Sequence, residues 1–144
     1  MVHALHEAVR VLKPDGFLID LRPAVEHCRV GILRPGGFAE LGVARGSLDG
    51  QRAATRAVRE ALARKLLRRT WSARFKCDVV FSSPAALREW LIEFNDSEGE
   101  KDAIRLAARA ADVWTRGCGR LVVRIALAMT VFGKVGGPPP PASA

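Results

Sequence analysis

The feature that most restricts the fold is an apolar run near the end of the chain. It reads "RLVVRIALAMTVF" (Arg120–Phe132), and inside it only Arg124 and Thr130 are polar. A strand that is apolar on both faces is typical of the interior of a sheet, where it is covered on both sides. We therefore predict that this segment is an interior strand with neighbouring strands on either side.

The front of the chain has the pattern of a helix, a tight turn and a strand. Val2–Lys13 carries an apolar stripe at helical spacing. Pro14 ends that helix, and Asp15-Gly16 supplies the turn. The nearly all-apolar Phe17–Leu21 then predicts a short strand.

The middle of the chain predicts a hairpin followed by a long helix. Cys28–Arg45 alternates around a turn at Arg34–Gly37. Gly31 and Gly42 weaken both arms, so we expect a partly exposed edge feature. The helix is predicted over Asp49–Arg69.

A second strand and two helices follow. Ala73–Phe81 predicts a strand that leads directly into a helix with Ser83 as its N-cap and Pro84 at its first position. A further helix is expected from Ser97, where Glu100 completes a capping box.

Large apolar and thiol side chains are expected in the core. The number and spacing of the cysteines predict neither a disulfide framework nor a zinc site, and suggest reduced thiols in a cytoplasmic protein. No apolar run reaches the roughly 18 residues that would span a membrane. The residues are Trp71, Trp90, Trp114, Cys28, Cys77 and Cys118.

These elements predict an α/β fold with about four helices. We expect one domain over residues 1–135, with residues 28–69 as a hairpin-helix insertion. The proline-rich tail, residues 136–144, is expected to be disordered.

Three segments in this order resemble the C-terminal half of a class I S-adenosylmethionine-dependent methyltransferase. They are "LHEAVRVLKPDGFLID" (Leu5–Asp20), "FKCDVVFSSPAALREWL" (Phe75–Leu91) and "LVVRIALAMTVFGKV" (Leu121–Val135). The resemblance implies a partial Rossmann-like sheet in which these segments supply strands five, six and seven. Strand seven would lie antiparallel between the other two. Asp15 stands where the family usually has a glycine.

The same resemblance implies S-adenosylmethionine as cofactor, but the residues that hold it have no counterpart here. The family binds the donor with a glycine-rich loop between a strand and a helix. "RPGG" (Arg34–Gly37) lies in a predicted hairpin turn, and "RGCGR" (Arg116–Arg120) lies between a helix and a strand. We expect no donor binding and no methylation by this chain alone, and assign no catalytic or cofactor-binding residue. A coding sequence that continues upstream of Met1 is an alternative.

Residues near the end of the first strand are candidates for the substrate side. In open α/β sheets ligands lie beyond the carboxyl ends of strands, where Asp20, Arg22 and His27 would stand. An ordinary loop is the alternative. His3 and His6 lack a third ligand, so no metal site is predicted.

Basic residues define a second candidate surface. Arg52, Arg56 and Arg59 share one face of the predicted long helix, and the net charge is +8. This face suits phosphate groups, although a solvated helix face is the alternative.

The first strand also predicts a partner. In a sheet of strands five, seven and six, Phe17–Leu21 is left at an open edge, which favours pairing with another chain. We expect a homo-oligomer, or a separate chain that carries the donor-binding half. The alternative function is a basic nucleic-acid-binding or protein-interaction module without enzymatic activity.

Overall fold

The computed structural model describes residues 2–94, 100–117 and 119–135, with the backbone alone for residues 2–4 and 100. This part of the chain is α/β, with four helices and a five-stranded antiparallel sheet, so the predicted class is confirmed. The elements are α1 (Val2–Val11), β1 (Phe17–Pro23), β2 (Cys28–Arg34), β3 (Gly37–Ala44), α2 (Asp49–Ala63), β4 (Leu67–Phe81), α3 (Pro84–Phe94), α4 (Glu100–Thr115) and β5 (Arg120–Lys134).

The long strand β5 is the interior strand of the sheet, as predicted. The strand order is β1-β5-β2-β3, and β4 also pairs with β5. Residues 127–133 of β5 pair with β1, and residues 120–124 pair with β2. Strand β1 ends the order, so the predicted edge position of this strand is also confirmed.

The described chain forms two compact units that share the two longest strands. The first contains α1, β1, α2, β4 up to Phe75 and β5 from Leu127. The second contains β2, β3, α3, α4, β4 from Lys76 and β5 up to Ala126.

In the first unit, the two helices pack on the sheet through one apolar cluster. Val9 of α1, Ala61 of α2, Leu67 of β4 and Phe132 of β5 are its buried members. Leu5 and Leu12 of α1, which belong to the predicted apolar stripe, are half-buried around this cluster. The other half-buried side chains are Leu18, Val58, Leu62 and Leu66.

In the second unit, α3 and α4 pack on the hairpin and on the start of β5. The cluster includes Leu87 and Leu91 of α3, Leu106 of α4 and Leu121 of β5. Helix α3 begins as predicted, because the Ser83 hydroxyl oxygen accepts a hydrogen bond from the Ala86 N–H at 3.2 Å.

Aromatic rings complete this second core. The Trp90 ring stacks on Phe94 with centroids 4.5 Å apart and meets Phe81 edge-on at 5.9 Å. The prediction that Trp90 packs in the core is therefore confirmed.

The hairpin turns where predicted, but its glycines have a different role. Of the two strands of the hairpin, β2 is largely buried, and β3 alone lies at an end of the sheet. A Cβ atom on Gly31 would lie 2.5 Å from the Phe38 ring, and one on Gly42 would lie 2.7 Å from Leu106 Cδ1. Both glycines leave room for a neighbouring side chain. The predicted partly exposed edge is confirmed for β3, whereas β2 is an interior strand.

Helix α2 ends well before the predicted Arg69. Lys65 has the left-handed φ of 55°, its N–H donates to Leu62 O, and the Leu66 N–H donates to Ala61 O. This pair of bonds is a Schellman cap. Since the cap uses lysine at the position usually held by glycine, the sequence carries no stop signal, and β4 begins at Leu67 instead of Ala73.

Three side chains expected in the core are exposed. Trp71 lies in β4, with 46% of its surface accessible, and Trp114 near the end of α4, with 39%. Cys77 is exposed, whereas Cys28 is buried and its pKa is raised by that burial. The predicted capping residue Ser97, Cys118 and the tail 136–144 lie outside the described residues.

A bidentate ion pair in the second unit joins β4 to β5. Both nitrogens of the Arg124 fork donate to Asp78, at 2.7 Å to Oδ1 and 2.6 Å to Oδ2. The guanidinium also lies 4.1 Å above the centre of the Phe38 ring. The hydrogen bonds from Arg124 lower the pKa of Asp78 below its ordinary value of 3.8, and partial burial of the carboxylate opposes this effect.

This pair gives a prediction for acid stability. A carboxylate whose pKa is lowered on folding stabilises the protein above its unfolded pKa, and this stabilisation disappears as the pH falls through the folded pKa. Asp78→Asn should therefore be less stable than wild type at pH 7, and the difference should shrink as the pH falls below 3.8. Urea unfolding measured from pH 7 to pH 3 tests this.

Asp102→Asn is the matched control, because its exposed pair with Arg105 is longer, at 3.7 Å. It should change stability little at any pH. A difference between Asp78→Asn and wild type that stays constant with pH would contradict the prediction.

Candidate functional site

An apolar groove in the first unit contains two of the residues predicted for the substrate side. Along β1, side chains alternate between exposed and half-buried, and Leu18, Asp20 and Arg22 are on the half-buried side. Helices α1 and α2 form the other walls of the groove. Its volume is about 250 Å³.

Small side chains on the helices leave this space open. Ala8 of α1, and Ala54 and Ala57 of α2, line the groove together with larger apolar residues such as Leu5 and Val58. A leucine in place of one of these alanines would occupy part of the volume. The groove is therefore a consequence of three alanines at helix positions that face β1.

The charged pair in the groove is held within β1 itself. Arg22 Nε lies 3.1 Å from Asp20 Oδ2, and both side chains are about four-fifths buried. The Arg22 Nη1 atom is buried, and no described residue supplies it with a hydrogen-bond acceptor. Since buried donors are normally satisfied, this nitrogen is the polar atom most in need of an acceptor in the groove.

The third predicted residue is not part of the groove. His27 belongs to the second unit and is absent from the residues that line the groove. Its Nδ1 atom is buried and has no hydrogen-bond partner among the described residues. The structure therefore brings together Asp20 and Arg22, but not His27.

The predicted basic face is exposed. Arg52, Arg56 and Arg59 of α2 are all accessible to solvent. Arg52 lies 3.7 Å from Asp49, one turn earlier on the same helix. The face has the composition of a solvated helix surface as well as that of a phosphate-binding one.

Neither glycine-rich stretch named above has the context of a donor loop. Arg34–Gly37 connects β2 to β3, and the residues described around Gly117 connect α4 to β5. The sequence reasoning missed a third stretch, residues 45–48, which connects β3 to α2. A Cβ atom on its Gly46 would lie 2.7 Å from the Phe94 ring, so this glycine serves side-chain packing. Of these three stretches, residues 45–48 alone lie between a strand and a helix.

No set of three or more histidine, cysteine or acidic side chains in the described ranges is arranged to hold a metal ion. No helix within those ranges is long and apolar enough to cross a membrane. Comparison of the chain with protein-family models, with curated proteins and with solved structures gives no match.

The residues that line the groove are of the kind that bind a ligand. Its walls would cover an apolar group, and Arg22 could donate to an anionic or carbonyl oxygen. The signal for this arrangement was present in the sequence as the alternation of Leu18, Asp20 and Arg22. The helix residues that cover that face of β1 could not be predicted from the sequence.

The pair gives a prediction for stability. Arg22→Met should destabilise the chain by about 1 kcal/mol, because it leaves the half-buried Asp20 carboxylate without its partner. The double variant Asp20→Leu/Arg22→Met should be at least as stable as wild type, since it also removes the unsatisfied nitrogen from an apolar groove. Urea unfolding at pH 7 measures both.

The control is Glu7→Gln/Arg10→Met, which removes an exposed ion pair of α1. It should have little effect. If the groove double variant instead lost more stability than Arg22→Met alone, Asp20 and Arg22 would serve the fold and not a ligand.

Proposed function

We propose that this chain is the acceptor-side half of a methyltransferase-like fold, inactive by itself, that associates through β1 with a second polypeptide. That polypeptide is a second copy or a separate chain that carries a donor-binding half. The observation that carries the proposal is the position of β5, which pairs antiparallel with β1 and also pairs with β4. The resemblance stated above implies a last, antiparallel strand between strands five and six, and this position of β5 supports it.

The local elements support the same reading. Helix α1, the turn closed by the Gly16 N–H and Lys13 O at 3.0 Å, and β1 follow one another as in the segment before strand five. Helix α3 begins at Pro84 after the strand that corresponds to strand six. The hairpin β2-β3, which pairs with the start of β5, is an addition to the family pattern.

The acceptor would lie in the groove beside Asp20 and Arg22. Asp20 lies at the centre of β1 and Arg22 one residue before its end, so both lie within the strand, and not beyond it as the sequence had predicted. In this proposal the donor is held by the second polypeptide, because Arg34–Gly37 and the residues described around Gly117 do not lie between a strand and a helix, and Gly46 packs on Phe94.

The open edge of β1 supports association. Phe17, Ile19 and Leu21 are all exposed on this strand, and Ile19, which also borders the groove, is 63% accessible. An apolar edge strand of this kind favours the addition of a strand from another chain.

Ile19→Lys tests the association. A charge in the middle of an exposed edge strand opposes pairing, so the variant should be monomeric, whereas wild type should have at least twice the monomer mass by light scattering at micromolar concentration. Val11→Lys is the control, because Val11 is equally exposed but lies at the end of α1. A monomeric wild type would count against association.

The donor requirement is tested with S-adenosylhomocysteine. A ligand that binds the native state raises the melting temperature by mass action. The isolated chain should show no such rise, because the proposal places the donor site on the second polypeptide. An increase of several degrees with the chain alone would overturn this part of the proposal.

A second candidate function is a basic module without catalysis. The observation that favours it is the exposure of Arg52, Arg56 and Arg59 along α2. Such a module would bind nucleic acid with an affinity that falls steeply with salt and would not respond to the methyl donor.

A further inference from the structure

The groove between α1, β1 and α2 combines an apolar wall with a single ion pair. Asp20 and Arg22 are its polar lining residues, and the other described residues that line it are alanine, leucine, isoleucine or valine. All of them belong to the first unit. A concave apolar wall with a few fixed polar groups is the usual form of a small-molecule site.

Arg22 brings an unused hydrogen-bond donor to this wall. Its Nε atom lies 3.1 Å from Asp20 Oδ2, whereas its Nη1 atom is buried and has no acceptor among the described residues. Buried donors are normally satisfied by protein, water or ligand. Because the Arg22 side chain lines the groove, a molecule in the groove is well placed to supply the acceptor.

The charge of Arg22 is already balanced by Asp20, and this decides between an anionic and a neutral acceptor. A ligand carboxylate would be attracted by the guanidinium but repelled by the Asp20 carboxylate beside it. It would also lose its hydration on entering an apolar groove. A neutral carbonyl oxygen can accept from Nη1 at a much smaller cost in hydration. The groove therefore favours an uncharged acceptor.

The volume of the groove limits the size of the ligand. An apolar cavity of about 150 Å³ takes up benzene, and the groove has about 250 Å³. It can therefore hold one ring together with a short substituent. Leu5, Leu18 and Val58 supply apolar surface for the ring, and the small Ala54 leaves space for it.

We propose that the groove binds a small, uncharged, mainly apolar molecule through one carbonyl oxygen, which accepts a hydrogen bond from Arg22 Nη1. Asp20 orients the guanidinium through Nε and disfavours anions. As the chemical class of a methyl acceptor, this inference rests on the proposed function. As a binding site, it is tested without methyl donor or second polypeptide, so its failure is distinguishable from a failure of association.

The test compares acetophenone, benzoate and ethylbenzene, which are similar in size and present a neutral carbonyl, a carboxylate and no acceptor. Each probe is titrated into the ¹⁵N-labelled full chain at pH 7, and binding is followed by amide chemical shifts. Acetophenone should bind with a Kd of about 1 mM or below. Ethylbenzene and benzoate should bind about tenfold more weakly, because the first leaves the donor unsatisfied and the second is repelled by Asp20.

Two results with wild type would overturn the proposal. One is the absence of acetophenone binding at about 1 mM. The other is binding of ethylbenzene or benzoate as tight as that of acetophenone. Shifts of the groove signals on dilution, with no probe present, would show instead that a second copy occupies the groove, and would also overturn it.

Variants of the ion pair test the role of each charge. Asp20→Asn should strengthen benzoate binding about tenfold, because the charge of Arg22 is then unbalanced. Arg22→Met should weaken acetophenone binding about tenfold and leave ethylbenzene binding nearly unchanged, because the donor is removed from an apolar wall that remains. An unchanged order of affinity of the three probes in both variants would contradict the assignment of Arg22 as donor.

A filled groove tests the location of the site. Ala54→Leu should abolish binding of all three probes, because the larger side chain occupies the space of the ring. Ala63→Leu is the matched control, because Ala63 is an exposed residue of the same helix outside the groove lining. It should bind the probes as wild type does. Undiminished binding by Ala54→Leu would overturn the site, and the dispersion of each spectrum shows that the variant is folded.

Discussion

The whole fold depends on β5, because both hydrophobic cores include its side chains. Phe132, near its end, belongs to the cluster under α1 and α2, and Leu121, near its start, belongs to the cluster under α3 and α4. Among the described strands, β4 alone also runs through both units. An apolar strand of 15 residues can have this role only if both of its faces and both of its edges are covered.

The sequence was most informative where local chemistry and long-range packing agree. Ser83 and Pro84 start α3 where a cap and a first-turn proline predict it, and the apolar run of β5 correctly predicts an interior strand. It failed at Lys65, because a left-handed lysine cap has no signature that distinguishes it from a helical residue. That failure left Trp71 just beyond a predicted helix instead of on a strand, and it was therefore expected in the core.

The candidate site was also predictable only in part from the sequence. Alternation along β1 places Asp20 and Arg22 on one face, and the position after a strand indicated a ligand region. The groove itself depends on Ala8, Ala54 and Ala57, which come from two helices distant in sequence. Alanines are common in helices for reasons of propensity alone, so their role in shaping a cavity is visible only in three dimensions.

The pairing of β1 with β5 has a consequence for biosynthesis. Phe17 pairs with Gly133, more than a hundred residues later in the chain. During translation, which proceeds at about 5–20 residues per second, β1 therefore leaves the ribosome seconds before its pairing partner exists. Its apolar residues stay unpaired throughout that interval, which makes the nascent chain a natural client for chaperones.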